Sequence, residues 1–436
     1  MRLGRRWSRA QVRAVRRRFR SRIDRFKRTR KAWVKAQLLA DPEIAAAARD
    51  HAAASGEAAA AVARRVAGYV DEIVPSFSLL SYYRVGYAAA RALLPLFYKV
   101  GVEFEDKAAL DALPRDAVSI YLFNHRSNAD YVLAAFALSE HVALSYAVGE
   151  WARVWPLEPL FKSFGSYFVR RGCREALYHK VLERYVQLIT RNGVTQGIFL
   201  EGCLSRDGRL REPKLGLLDC LVRVAREPGF ARPIHVVPAA INYDRVLEDR
   251  SLLREIQAPE ARSSRREQLG EVLSYVTKVS ARFLLRRARR YGRACIRFGR
   301  PLSVSDWLAS RPGVLELPRD QRLPRIRELA DQVMGRIAGL MPVTAVPLAS
   351  AALLQAEGAQ LSRAGLEAGI DDVRFVLRGA GAACDERDSA DVLERALVML
   401  TLRHVVACEG DRFRVDHAQD RLLSYYANSI AHFLGA

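Results

Sequence analysis

The spacing of hydrophobic positions changes several times along this chain, and each change marks a different kind of element. In residues 8–35, Val12, Val15, Phe19, Ile23, Phe26 and Trp33 recur three, four or seven apart among arginines, which is one face of an amphipathic helix. Residues 42–74 are alanine-rich and predict two helices broken near Ser55-Gly56. An apolar stretch at about 78–100, after Pro75, predicts another helix, interrupted by Arg84, Arg91 and Lys99. A bilayer span needs ~20 mostly apolar residues with few charges, so a core-packed or monotopic helix is expected rather than a transmembrane one.

From residue 117 the period shortens. AVSIYLF (117–123), HVALSYAVG (141–149), SYFVR (166–170), TQGIFLEG (195–202), IHVVPAAI (234–241) and ACIRFG (294–299) read as buried strands. Helical stretches lie between most of them, notably 128–139, 174–191 and 265–289. The alternation predicts an α/β fold with a central mixed, largely parallel sheet flanked by helices. In such sheets ligands sit at the carboxyl ends of strands. Beyond about 310 helices return, at 318–340, 347–367, 371–380 and 387–402. A hairpin is expected at 404–416, turning at Glu409-Gly410-Asp411, and a last helix at 418–433. Residues 308–324 hold three prolines and read as a linker. The expected organisation is a basic amphipathic arm (1–41), an N-terminal helical region (42–105), an α/β domain (106–310) and a mostly helical C-terminal domain (311–436).

Composition agrees with a folded chain: 436 residues, 50% hydrophobic and 27% charged. The net charge of +22 invites an anionic partner. Its distribution narrows the choice. Residues 1–36 carry sixteen Lys/Arg against the single acid Asp24, a net of +15, which leaves +7 for all the rest. A protein that coats nucleic acid over its whole surface is disfavoured, and no nucleic-acid partner is expected. The arm has the signature of an interfacial anchor on an anionic membrane surface, which would place the protein peripherally or monotopically on a cytoplasmic membrane face. A solvated arm docked on its own domain and a transit peptide are the alternatives. Six scattered cysteines, with no C-x-x-C and no zinc spacing, read as reduced thiols, so no metal site is expected.

The candidate chemistry begins at FNHRSNADYV, with His125 and Asp130. Five residues turn an α-helix by about 500°, so this pair does not share a helical face. The spacing works if His125 stands on a strand-end turn and Asp130 in the first turn of the following helix. Asp130 then accepts Nδ1–H and leaves Nε2 as a general base suited to deprotonating a hydroxyl. Taken alone, a turn histidine beside a capping aspartate explains the same residues. No G-x-S-x-G elbow occurs, which disfavours a serine acyl-enzyme.

Three more blocks follow in order: GSYFVRRG (165–172), FLEGCLSRDGRL (199–210) and IHVVPAAINYD (234–244). The four together resemble the glycerolipid acyltransferase superfamily. SRDGRLREPKLGLL, PAAINYDRVLED and the terminal LLSYYANSIAHFL (422–434) resemble its glycerol-3-phosphate and dihydroxyacetone-phosphate branch. The resemblance implies transfer of a fatty acyl group, without an acyl-enzyme, from an acyl-CoA or acyl-carrier-protein thioester to a phosphorylated glycerol-type acceptor. The thioester is a co-substrate, and no cofactor or metal is implied. It assigns His125 as base, Asp130 as its orienter, one of Arg170 and Arg171 to the acceptor phosphate, with Arg171 as the family-matched position and the other as a surface charge, and Glu201 to loop geometry or the acceptor network. Gly202 would allow close backbone approach, and Arg206 matches the second arginine of E-G-x-R-x-R. The first arginine of that pair is Leu204 here. Arg209, Arg211 or Lys214 would then replace it, or the acceptor differs, as dihydroxyacetone phosphate or a lysophospholipid. A non-enzymatic membrane- or nucleic-acid-binding protein on a degenerate scaffold is the remaining alternative.

Overall fold

The computed structural model of the chain describes residues 31–76, 88–138, 144–149, 157–163, 165–170, 172–257, 291–356, 361–384 and 387–435. Most of the expected basic arm and the helix expected over 265–289 lie outside these residues. The first helix is Lys31–Leu39 (α1). Pro42–Ser55 (α2) and Ala59–Ile73 (α3) follow, separated where Gly56 adopts a φ of 70°, at the predicted break. Asp41 caps α2 by accepting from the Glu43 and Ile44 N–H groups. The expected helix at 78–100 is described from residue 88, as Ala88–Phe97 (α4), and then gives way to a strand, Lys99–Phe104 (β1). This strand pairs with one neighbour only and has no fully buried residue, so its sequence carries little apolar signal.

The α/β region then runs Lys107–Asp111 (α5), Val118–Phe123 (β2), Asp130–Leu138 (α6), Ser145–Gly149 (β3), Leu157–Ser163 (α7), Tyr167–Val169 (β4), Ala176–Arg191 (α8), Gln196–Phe199 (β5), Leu215–Val222 (α9), Ile234–Tyr243 (β6), Asp249–Gln257 (α10), Arg293–Phe298 (β7) and Leu302–Ser303 (β8). Among the described residues the sheet order is β1-β7-β6-β2-β5-β3-β4, with β8 beside β6. The β2, β3, β4, β5 and β6 strands are mutually parallel, whereas β7 and β8 run antiparallel to β6. The expected mixed, largely parallel sheet is present. No described helix is long and apolar enough to cross a membrane.

Period-two alternation sends each strand into two cores. On β2, Val118, Ile120 and Leu122 join a cluster with α1–α3, α8 and α9, whereas Tyr121 and Phe123 join a second cluster on the opposite face. The helices of the C-terminal region divide between the two clusters. Val304–Ala309 (α11) and Arg319–Gly339 (α12) join the first, whereas Ala345–Gln355 (α13), Arg363–Gly379 (α14), Ser389–Leu402 (α15) and Asp420–Ala427 (α16) join the second. Residues 308–324, expected as a linker, form a packed connection. Val314 and Leu315 are buried, and Arg322 grips Asp219 of α9 at 2.7 and 3.1 Å.

The helix expected over 347–367 is two helices. It stops at Gln355, and Leu361–Ser362 (β9) pairs with the second strand of the predicted hairpin, Val406–Glu409 (β10) and Arg412–Val415 (β11). Ser362 then caps α14 by accepting from the Gly365 N–H. The strand pairing and the cap are gains that local helical spacing does not report.

Candidate active site

The site is built on the turn after β2, at the carboxyl end of the parallel strands. Asn124 ends the strand: its Oδ1 accepts from the Ile241 N–H at 2.7 Å and its Nδ2 donates to the Ile241 carbonyl at 3.0 Å. The side chain thereby adds one more rung between β2 and β6 and sets where the turn begins.

Next in the chain comes His125, only 1% exposed. Its Nδ1 lies 2.9 Å from Asp130 Oδ2. The same oxygen accepts from the Arg126 N–H at 2.7 Å and the Ser127 N–H at 3.0 Å, while Oδ1 accepts from the Tyr243 hydroxyl at 2.6 Å. All four partners donate, so Asp130 is a pure acceptor that both ties the 125–127 turn to the start of α6 and holds the imidazole. An acceptor at Nδ1 assigns the ring proton there and makes Nε2 the basic nitrogen. Phe199 stacks on the ring at 4.1 Å, and Tyr131 meets it edge-on at 5.6 Å. The imidazole therefore has one orientation.

Glu248, just after β6, clamps the same turn. Its two oxygens accept from the Ser127 hydroxyl at 2.7 Å and the Asn128 N–H at 3.2 Å. Burial pushes its carboxyl up to about 7, opposed by the Ser127 bond.

The loop after β5 closes over the turn. Leu200 N–H donates to the Phe123 carbonyl at 3.0 Å, and Ser205 N–H to the His125 carbonyl at 2.9 Å. Glu201, 1% exposed, accepts from the His125 N–H at 3.0 Å and the Arg211 N–H at 3.2 Å. Burial raises its carboxyl to about 8, while the His125 N–H and the nearby Arg126 pull it down. Gly202 has a φ of +71°, and a Cβ there would stand 2.8 Å from the Lys214 side chain. Gly208 has a φ of +89°, and its Cβ would stand 1.9 Å from the Tyr425 carbonyl oxygen of α16. Neither position accommodates another residue without displacement.

Two family models match the chain: the acyltransferase family over residues 106–242, and the glycerol-3-phosphate acyltransferase C-terminal region over residues 265–435. The chain belongs to the glycerolipid acyltransferase superfamily. The C-terminal match lies in the glycerol-3-phosphate branch of that superfamily. Among curated acyltransferases, glycerol-3-phosphate acyltransferase of Aeromonas hydrophila is 28% identical over 91% of this chain and 49% of its own length. The protein of the same name from Pseudoalteromonas atlantica is 29% identical over 84% of this chain and 45% of its own. The chain thus spans about half the length of the curated relatives it matches. A solved 1-acyl-sn-glycerophosphate acyltransferase from Thermotoga maritima covers 58% of this chain and 77% of its own, at 18% identity and a TM-score of 0.33.

With the acyltransferase blocks placed in space, the expected residues divide. His125, Asp130, Glu201 and Gly202 come together, and Lys214 lays its stem against Gly202. Arg170, expected at the substrate phosphate, instead grips Glu72 of α3 at 2.9 and 2.6 Å, between the rings of Tyr69 and Tyr178. The reason is local: burial of Glu72 against β4 leaves that carboxylate to be satisfied, and Arg170 at the end of β4 is its partner. Arg171 lies outside the described residues. Arg206 pairs with Glu255 at 3.1 Å and is part exposed. Leu204 packs on the apolar cluster that holds Phe123 and Phe199. Sequence reasoning missed Asn124, Tyr243 and Glu248. The last two lie within the quoted PAAINYDRVLED stretch, but only the β2–β6 pairing brings them to His125.

Proposed function

We propose that this chain transfers a fatty acyl group from an acyl-CoA or acyl-carrier-protein thioester to a hydroxyl of glycerol 3-phosphate, a step of phospholipid synthesis. The observation that carries this is the buried His125–Asp130 pair, locked by Tyr243 and two backbone N–H groups at the carboxyl end of β2. In this reading Nε2 takes the acceptor hydroxyl proton as the oxygen attacks the thioester carbonyl. Asp130 stabilises the imidazolium that forms. The C–O bond forms, the C–S bond breaks, and the proton passes from His125 to the departing thiolate. The phosphorylated acceptor and the anionic membrane surface are read from the same blocks and from the basic arm. The test uses the full chain with acyl-CoA and glycerol 3-phosphate, following thiol release. Release that depends on glycerol 3-phosphate and is abolished in a folded His125→Ala variant is expected. Unchanged turnover in that variant would overturn the role of His125, and a preference for long-chain lysophospholipids or dihydroxyacetone phosphate would replace the acceptor.

A further inference from the structure

Leu204 leaves the substrate loop one cation short, and two of the arginines expected at the substrate hold carboxylates of this chain, Arg170 at the end of β4 with Glu72 and Arg206 in the loop with Glu255. A different guanidinium lies at the site. Arg126, the residue after His125, is 2% exposed. Its Nη1 donates to the Gly208 carbonyl, and its planar head lies 5.0 Å from the centre of the Tyr425 ring. Its Nε and Nη2, both buried, have no hydrogen-bond partner among the described residues. These two nitrogens form the side edge of the guanidinium, the fork that matches two oxygens of one anion. The same edge holds carboxylates elsewhere in this protein, from Arg170 to Glu72 and from Arg322 to Asp219. Arg374 also has these two atoms without partners, but it stands on α14 beside Asp371, not beside the candidate base.

A buried guanidinium whose fork faces no acceptor is costly unless an anion completes it. Glu201 offsets the charge only in part, because burial pushes its carboxyl up to about 8 and both its oxygens accept backbone N–H groups. The anchorage of Arg126 is rigid. Gly208 has no room for a side chain against Tyr425, so the carbonyl that holds Nη1 and the ring that covers the head are fixed to each other. The C-terminal helix α16 thereby reaches the catalytic turn.

We propose that Arg126 binds the phosphate of the acceptor through Nε and Nη2, in the role that the loop arginine at position 204 does not fill, with Gly208 and Tyr425 as its mount. This rests on the acyltransferase reading of the site for its acceptor, though not for its anion. The phosphate could also belong to the coenzyme of the donor, so the two are tested apart. Thermal unfolding of the full chain is measured with glycerol 3-phosphate, coenzyme A and inorganic phosphate in separate arms, for the native protein, Arg126→Gln and Arg126→Lys. Glycerol 3-phosphate and inorganic phosphate are expected to stabilise the native protein and not Arg126→Gln, with Arg126→Lys between them. In steady state, Arg126→Gln is expected to raise KM for glycerol 3-phosphate roughly 10–100-fold, with a far smaller fall in kcat and an unchanged KM for the donor. Should Arg126→Gln fail to fold, Arg126→Lys, which keeps the charge without the fork, gives the same comparison. An unchanged KM for glycerol 3-phosphate, or Arg126-dependent stabilisation by coenzyme A alone, overturns the proposal. Stabilisation that depends on Arg126 in a protein that transfers no acyl group would sink the acyltransferase reading and leave the anion site standing. Transfer with an Arg126-independent KM would do the reverse.

Discussion

Replacing Asp130 with asparagine separates its two jobs. The carboxylate accepts four hydrogen bonds, three on Oδ2 and one on Oδ1. Asparagine has the same shape. With its oxygen at the Oδ2 position it keeps the Arg126 and Ser127 N–H bonds, and its NH₂ faces the Tyr243 hydroxyl, whose oxygen is able to accept. The tie between the turn and α6 therefore survives, and the expected change in stability is within about 1 kcal/mol. The lost quantity is the negative charge beside an imidazole that becomes cationic in the transition state. A buried ion pair broken from one side costs about 3–5 kcal/mol, which is roughly 10²–10⁴ in rate at 1.36 kcal/mol per tenfold. The assay is initial thiol release at saturating acyl-CoA and glycerol 3-phosphate, with a melting curve on the same preparation. Asp130→Asn with a native melt and turnover within threefold of native would refute the reasoning and reduce Asp130 to an anchor of the turn. Asp130→Ala is the weaker experiment, because it strips the bonds to the turn and the charge at once.

Three further outcomes follow from the geometry. Gly208→Ala places a methyl group 1.9 Å from the Tyr425 carbonyl oxygen at a φ of +89°; a loss of about 1–3 kcal/mol from backbone strain alone is expected in urea unfolding, and a native midpoint would contradict it. Arg170→Met removes the fork to Glu72 and the stacking on Tyr69 and Tyr178; a stability loss of ~1–2 kcal/mol is expected with KM for glycerol 3-phosphate within twofold, and a large KM rise at native stability would return Arg170 to the substrate. Glu248 is raised from 4.5 to about 7 by burial, so the folded state favours its protonated form, and the stability present below about pH 4.5 is lost as pH rises towards 7. Glu248→Gln fits both partners, donating to Ser127 and accepting from Asn128. It should melt above the native protein at pH 8 and match it near pH 4.5. The full shift corresponds to at most about 3 kcal/mol, less because Glu248 keeps some solvent contact. Parallel melting-versus-pH curves would exclude this.

Much of the fold was legible because local signals and tertiary gains agreed. The strands at 118–123, 167–169, 196–199, 234–243 and 293–298 are short apolar runs buried on both faces. Where signals and gains parted, the reading failed. Strand β1 is an edge with little buried surface, and the break at Gln355 is set by a cap and a strand pairing made with distant residues. Residues 308–324 show the limit of composition. Pro318 precedes α12 and Pro324 lies inside it, and Arg322 between them is held by Asp219, 103 residues away.

The candidate catalytic pair was readable because His125 and Asp130 are five residues apart, and a strand-turn-helix boundary is enough to join them. Charge followed the same rule: the +15 of residues 1–36 is a local property, visible without a fold. What fixes the pair was not readable, because Tyr243 and Glu201 are 113 and 76 residues from the groups they bond. The fate of each arginine was equally a tertiary matter. Arg170 and Arg126 are the same residue type in neighbouring blocks, and sequence offered the first, beside the favoured Arg171, for the phosphate and passed over the second. Packing brought Glu72 to the fork of Arg170, whereas among the described residues it gave Arg126 a carbonyl and an aromatic ring and left its fork open. A guanidinium's role is decided by which anion can reach its fork, and that is set by how the sheet, α3 and α16 come together.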